Sequence, residues 1–175
     1  YYAQSKFKSE EMFLDYAKKN KINLSILRLF SFAGPGTSSL KYLAYTTAID
    51  ARLKNNNIHL YSDGNSYRSF MHSIDMSCWI VKSLTNEGKT IINVGSDKEM
   101  KIIDLVNKIL KYKKLGFKRI KIIKKNKSQG NTYYVPLIKK ALRKNFYLFH
   151  TFTEAIRDDI IHRKQTRNAH RYFYK

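Results

Sequence analysis

A phenol and an ammonium stand four residues apart at the start of the chain, within Tyr1-Tyr2-Ala3-Gln4-Ser5-Lys6. On a helix, residues i and i+4 share a face, so the Tyr2 hydroxyl and the Lys6 amine can reach one small site together. An ammonium beside a phenol favours the phenolate, a base able to take the proton of an alcohol as it is oxidised. Tyr-x-x-x-Lys also arises by chance on ordinary helix surfaces. A catalytic reading of Tyr2 and Lys6 therefore depends on the elements that follow.

Residues 3–20 predict an amphipathic helix, with Phe7, Phe13, Leu14 and Ala17 inward and Lys8, Glu11, Lys18 and Lys19 toward solvent. Residues 24–32 (LSILRLFSF) form a short apolar run that suits a strand buried on both faces of a parallel sheet. Helix followed by buried strand is half of a βαβ unit. Ala33-Gly34-Pro35-Gly36-Thr37 then makes a rigid turn. In open α/β sheets ligands bind just outside the carboxyl ends of strands, although a purely structural turn explains the same residues.

Further helices are expected at 42–55, 74–84, 99–111, 137–143 and 153–162, and strands at 58–61, 68–72, 90–94 and 120–123. A Ser62-Asp63-Gly64-Asn65 turn separates two of the strands. Asp75 reads as a cap or dipole partner of its helix. Ile102, Ile103, Leu105, Val106, Ile109 and Leu110 should turn inward from theirs. The expected fold class is α/β, the C-terminal part of a Rossmann-like fold plus a small mixed lobe. The boundary falls near Pro35: residues 1–36 end the Rossmann-like domain and residues 37–175 form the smaller lobe.

At 175 residues, 43% hydrophobic and 14% aromatic, the chain can fill one domain with a real core. Its one cysteine, Cys78, excludes an internal disulfide and fits a reducing compartment; beside Trp79 it reads as a small core residue. There is no secretory pattern and no apolar run near the ~20 residues of a membrane span, so a cytoplasmic protein without a membrane role is expected. His59, His150, His162 and His170 are scattered without metal-ligand spacing and read as surface or boundary residues, and no metal is expected.

The net charge of +21 gathers in residues 111–127 and again from Arg163 to Lys175. Such a balance suggests an anionic partner, either nucleic acid, a membrane surface or a phosphorylated small molecule. A lysine-rich solvated face explains it too.

Several blocks, in order, resemble the extended short-chain dehydrogenase/reductase family, specifically its nucleotide-sugar epimerases and dehydratases. Tyr2-Ala3-Gln4-Ser5-Lys6 with Glu10 is similar to its Tyr-x-x-Ser-Lys-x-x-x-Glu helix. Leu27-Arg28-Leu29-Phe30-Ser31-Phe32-Ala33-Gly34-Pro35-Gly36 resembles its Leu-Arg-x-x-Asn-x-Tyr-Gly-Pro-Gly strand and turn. The block from Asp63 through Arg68 and His72 to Asp75 resembles Gly-x-x-x-Arg-Asp-Phe-x-x-Val-x-Asp, and Asn93-Val94-Gly95-Ser96 resembles the strand end Asn-Val-Gly-Ser. Tyr134-Val135-Pro136 and the helix near 152–161 fit the closing segment.

The resemblance implies Tyr2 as acid/base, Lys6 on the nicotinamide ribose of NAD or NADP, and Arg68 on the diphosphate of a nucleotide-diphosphate sugar. Ser31 stands where the family has a substrate-touching asparagine and keeps a hydrogen-bonding group with less reach. Ala33 replaces a tyrosine, and Leu137 stands where an aspartate often follows Val-Pro. His72 and Asp75 are expected to orient the turn and start the helix. A homodimer and a setting in surface-polysaccharide synthesis are further implications. No Gly-x-Gly-x-x-Gly or Gly-x-x-Gly-x-x-Gly loop occurs in the sequence. The chain is thus expected to be the C-terminal part of a larger enzyme, inactive without its N-terminal half or a complementing chain. A truncated non-catalytic product, or a basic nucleic-acid-binding module whose affinity falls steeply with salt, are the alternatives.

Overall fold

The computed structural model describes residues 1–37, 43–60, 62–112, 120–122 and 132–173. Most of the basic run over 111–127 and the polar stretch around Gly130 lie outside these, as do Tyr42, Tyr61 and Ile123. The side chains of the second basic run, beyond position 166, lie outside them as well, His170 among them.

Helix α1, Tyr2–Lys19, carries Lys18 and Lys19 in its last turn, where cations complement the helix dipole. It ends where the Asn20 amide side chain donates to the Tyr16 carbonyl and Lys21 takes a positive φ of 54°. Strand β1, Leu24–Leu29, then runs parallel to β6, Lys89–Val94, in register from Leu24↔Lys89 to Leu29↔Val94. Helix α1 seats on β1 through half-buried Glu10 and Leu14 and buried Ala17, one i, i+4, i+7 stripe. Phe7 and Phe13, expected inward, are exposed: Phe13 lies off that stripe, and Phe7 lies a turn beyond Glu10 toward the helix start.

The strand expected over 24–32 is broken. Phe30 still donates its N–H to the Val94 carbonyl, but the Ser31 carbonyl accepts from Met71. The chain thus leaves β6 and pairs, as β2 (Phe32–Ala33), in parallel with β5, Met71–His72. The extended run over 68–72 splits likewise at Phe70 into β4, Tyr67–Ser69, and β5. Strand β1 is only half-buried and Leu29 is exposed, not covered on both faces, because α1 covers little of one face and β6 is the one described strand hydrogen-bonded to it. Strand β4 lies between β7 (Glu99–Lys101, antiparallel) and β9 (Tyr133–Tyr134, parallel), so the first residues of the helix expected at 99–111 are strand. A short β3, Ile58–Leu60, pairs with β8, Ile120–Ile122.

Two apolar clusters hold these sheets. One joins α2 (Ala44–Lys54), α4 (Ile102–Lys111) and α6 (Phe152–Phe173) through Tyr45, Ile49, Leu105, Ile109 and Ile156. In α4, Leu105, Val106 and Ile109 are buried as expected, whereas Ile102, Ile103 and Leu110 pack at the margin. The other cluster joins α3 (Ser73–Ser83), β5, β6 and α5 (Lys139–Leu142) around Trp79, Ile92, Ile138 and Phe146. The Trp79 indole donates to the Tyr147 carbonyl at 2.7 Å. This is a mixed α/β fold with parallel pairings, as the sequence leads one to expect. No helix among the described residues is long and apolar enough to cross a membrane.

Candidate functional site

Tyr2 and Lys6 share one face of α1, with the Lys6 Nζ 5.7 Å from the centre of the Tyr2 ring. The phenol is 77% exposed and is not packed inside. What aims this helix is a fork: Arg28 of β1 donates from Nε and Nη2 to the two carboxylate oxygens of Glu10 at 2.8 and 2.5 Å. The bonds from Arg28 hold the Glu10 carboxyl below its usual range and push the guanidinium up. Since α1 runs back along β1, the eight residues from Glu10 to Tyr2 carry the phenol about 12 Å further along the helix axis. It projects toward the C-terminal end of the strand, the end at which a parallel sheet binds ligands.

Arg68 reaches that end through Tyr134, which packs on Phe30. The Arg68 guanidinium donates to the Tyr67 carbonyl at 2.7 Å and to the Thr132 carbonyl and hydroxyl at 3.1 and 2.8 Å. It lies 5.9 Å above the Tyr134 ring, which stacks at 4.7 Å on Phe30, the residue before Ser31. Gly95 closes the wall: a Cβ there would meet Pro136 Cγ at 2.8 Å and Phe30 Cβ at 3.1 Å. Asn93 donates to the Leu137 carbonyl at 3.0 Å, so the Asn-Val-Gly-Ser strand end and the Tyr-Val-Pro segment pack as one unit. No hydrogen bond or ring contact joins Tyr2 or Lys6 to Ser31 or Arg68. Tyr2 and Lys6 form a pair, and no hydrogen bond or ring contact joins Ser31 to Arg68 either.

The Gly34–Thr37 turn is anchored from below. Gly34 has φ 113°, and a Cβ there would meet Ser73 Oγ at 2.9 Å. Its N–H donates to the hydroxyl of wholly buried Tyr45, which donates in turn to the Ala155 carbonyl. Burial, helped by the nearby Asp159 charge, pushes the Tyr45 phenol far up, so it stays neutral. Thr37 donates to the Gly34 carbonyl at 2.7 Å. Behind it, Arg163 forks onto Asp159 and reaches Asp50 at 2.8 Å.

Several expected roles change here. Asp75 does not cap α3 but stands in its first turn, the dipole position also expected of it, while His72 starts the helix as expected, its Nδ1 accepting the Ile74 N–H at 3.0 Å. Asp75 is fully buried and accepts the backbone N–H groups of Phe149 and His150. His150, expected at the surface or the boundary, is half-buried, with its Nδ1 2.7 Å from that carboxylate and its ring 4.5 Å from that of His72. His72 Nε2 faces Asp158 at 3.3 Å; Asp158 sits below the usual carboxylate range chiefly through its bond from Arg157. Cys78, expected in the core, is exposed, because Asp75, Trp79 and Ser83 form the inward stripe of α3. Thr132 beside Arg68 is not marked by the sequence, and the blocks that hold Phe30 and Tyr134 do not reveal that these rings stack next to it, since the contacts join distant segments. Among the described residues no group of three or more His, Cys, Asp or Glu could hold a metal ion.

A dTDP-L-rhamnose 4-epimerase of Burkholderia thailandensis is 32% identical over 108 residues, 59% of this chain and 30% of the relative. A UDP-N-acetylglucosamine 4-epimerase from Methanobrevibacter ruminantium M1, solved with UDP-N-acetylmuramic acid, superposes with a TM-score of 0.82 at 20% identity, covering 94% of this chain and 54% of its own. The dTDP-glucose 4,6-dehydratase of Bacillus anthracis, solved with NAD, gives 0.79 at 18% identity, covering 95% and 53%. At such identities these structures establish the Rossmann-like fold. The chain spans about half the length of these solved structures and 30% of the curated relative. The model of the NAD dependent epimerase/dehydratase family matches residues 1–95, more than half of the sequence. The chain belongs to that family.

Proposed function

We propose that this chain supplies the acid/base and substrate-binding part of an NAD(P)-dependent epimerase or dehydratase acting on a nucleotide-diphosphate sugar. One observation carries the reading: an exposed phenol with an ammonium on the same helical face, aimed past the C-terminal end of a parallel strand. Tyr2 Oη takes the proton of a sugar hydroxyl, at C4 by our reading, as its carbon is oxidised, and Lys6 supports the phenolate. The exposed pair fits the nicotinamide-ribose end of a dinucleotide, while the glycine-rich loop for its pyrophosphate is not in this sequence. When bound, that group accepts and returns the hydride.

The Arg68 fork, already oriented by Thr132, pairs with the diphosphate, and Ser31 reaches the sugar. Once the ketone is formed, return of the hydride and proton from the opposite face of that carbon gives an epimer. Loss of water from the adjoining carbons, followed by return of the hydride and a proton to the double bond so formed, instead gives a deoxy-keto sugar. Residues 1–36 then close the dinucleotide-binding half, with β6 completing its sheet, and residues 37–175 otherwise bind substrate. Exposed Met12, Phe13 and Tyr16 on α1 support a protein contact there, a homodimer in the complete enzyme. The cytoplasm and surface-polysaccharide synthesis are the setting this reading implies.

The test uses the natural polypeptide that carries these residues, with NAD and UDP-glucose or dTDP-glucose, following the sugar products by NMR. Tyr2→Phe is expected to lower turnover at least ~100-fold while changing sugar-nucleotide affinity less than about twofold. Turnover within about threefold of the parent would remove Tyr2 from the mechanism.

A further inference from the structure

The Gly34–Thr37 turn begins three residues after Ser31, and two buried hydroxyls, those of Tyr45 and Thr37, link it to α6. A phenol has one proton to give. Tyr45 has both the Ala155 carbonyl (3.3 Å) and the Asp159 carboxylate of α6 as acceptors for it, which leaves the oxygen lone pair for the Gly34 N–H (3.1 Å). The ring is locked between Phe70 and Phe152, with centroids at 5.9 and 6.0 Å, so the hydroxyl cannot swing elsewhere. Gly34 is buried, and without Tyr45 Oη its N–H loses the partner that satisfies it. Thr37 braces the same turn, its hydroxyl donating to the Gly34 carbonyl while lying 3.5 Å from Asp159 Oδ2. On the other side the chain is held by the β2–β5 pairing and by the Ser31 carbonyl accepting from Met71.

We infer that Tyr45 is a positioning residue for the substrate side of the site: its hydroxyl transmits the placement of helix α6 to the Gly34–Thr37 turn and so to Ser31. The inference rests on the nucleotide-sugar reading for the identity of the ligand, but not for the link itself. Helix α6 lies about 120 residues beyond the turn in sequence, and through this link a substrate contact near the start of the chain depends on its far end.

The experiment compares the protein with its Tyr45→Phe variant by site-resolved amide exchange and by titration with UDP-glucose. Loss of the hydroxyl is expected to speed exchange at the Gly34 amide about tenfold or more, leave the Ile92 and Val94 amides of β6 unchanged, and weaken UDP-glucose about five- to tenfold. A residue that merely stabilised the fold would speed all these amides together and leave the affinity of the folded protein unaltered; either result overturns the inference. An unchanged Gly34 amide also overturns it. If the parent protein retains no UDP-glucose yet Gly34 responds as described, the nucleotide-sugar reading falls and the link from α6 to the turn stands. Should Tyr45→Phe fail to fold, Thr37→Val is judged by the same readouts.

Discussion

Tyr2 and Lys6 meet because the geometry that joins them is local: four residues of helix place them on one face whatever the rest of the chain does. Arg68 differs. Its character as a forked cation is plain in the sequence, but the groups that orient it, Thr132 and the Tyr134 ring, lie more than sixty residues away. That arrangement makes the guanidinium's planarity matter as well as its charge. Arg68→Lys keeps the charge and loses both the fork and the stacking on Tyr134. It is expected to weaken UDP-glucose about tenfold, measured by calorimetric titration. Full affinity in that variant would mean that charge alone is read there. His150 and Asp75 teach the same lesson in reverse: the sequence ties Asp75 to its own helix and leaves His150 unassigned, and only the fold makes them partners.

Among the elements, helices were the easier to anticipate, because their apolar periodicity and end signals are contained within them. Helix α6 opens on Thr151-Phe152-Thr153-Glu154, in which the Thr151 hydroxyl receives the Glu154 N–H and the Glu154 carboxylate accepts from the Thr151 N–H and hydroxyl. This reciprocal cap holds the Glu154 carboxyl below its ordinary range. Thr151→Ala is expected to lower the midpoint of thermal unfolding by about 3 °C, followed by circular dichroism. An unchanged midpoint would show that packing alone places the start of α6. Strands were less legible. Residues 24–32 look like one uninterrupted apolar run, yet the chain changes partner at Phe30–Ser31, because β5 offers the Met71 N–H to the Ser31 carbonyl. No local property of the run marks that switch.

Across the whole molecule, the Arg163–Asp159–Asp50 group ties the C-terminal helix to α2 beneath the Gly34 turn. Burial works against the Arg163 charge, but its bonds to Asp159, and the charges of Asp159 and Asp50, hold the guanidinium charged all the same. Asp159 is wholly buried, so removing its partner strands a carboxylate in the core. Arg163→Met is expected to cost about 3–5 kcal/mol in denaturant unfolding, whereas Arg163→Met with Asp159→Leu should cost far less, since an apolar pair leaves no stranded charge. Equal losses in the single and double variants would show that shape, and not charge pairing, governs this region.

The amino-acid sequence by itself determined the chemistry on offer and the family: a phenol and an amine at helical spacing, a guanidinium after a glycine turn, and the order of blocks that carries the resemblance. These are local patterns, written in the identity and spacing of neighbouring residues. Only the tertiary structure decided which side chains face inward on α1 and α3, where the strands change partners, and what holds Arg68, Asp75 and the Gly34 turn. Each of those depends on contacts between segments far apart along the chain, and no local spacing encodes which distant atom will arrive to complete a hydrogen bond.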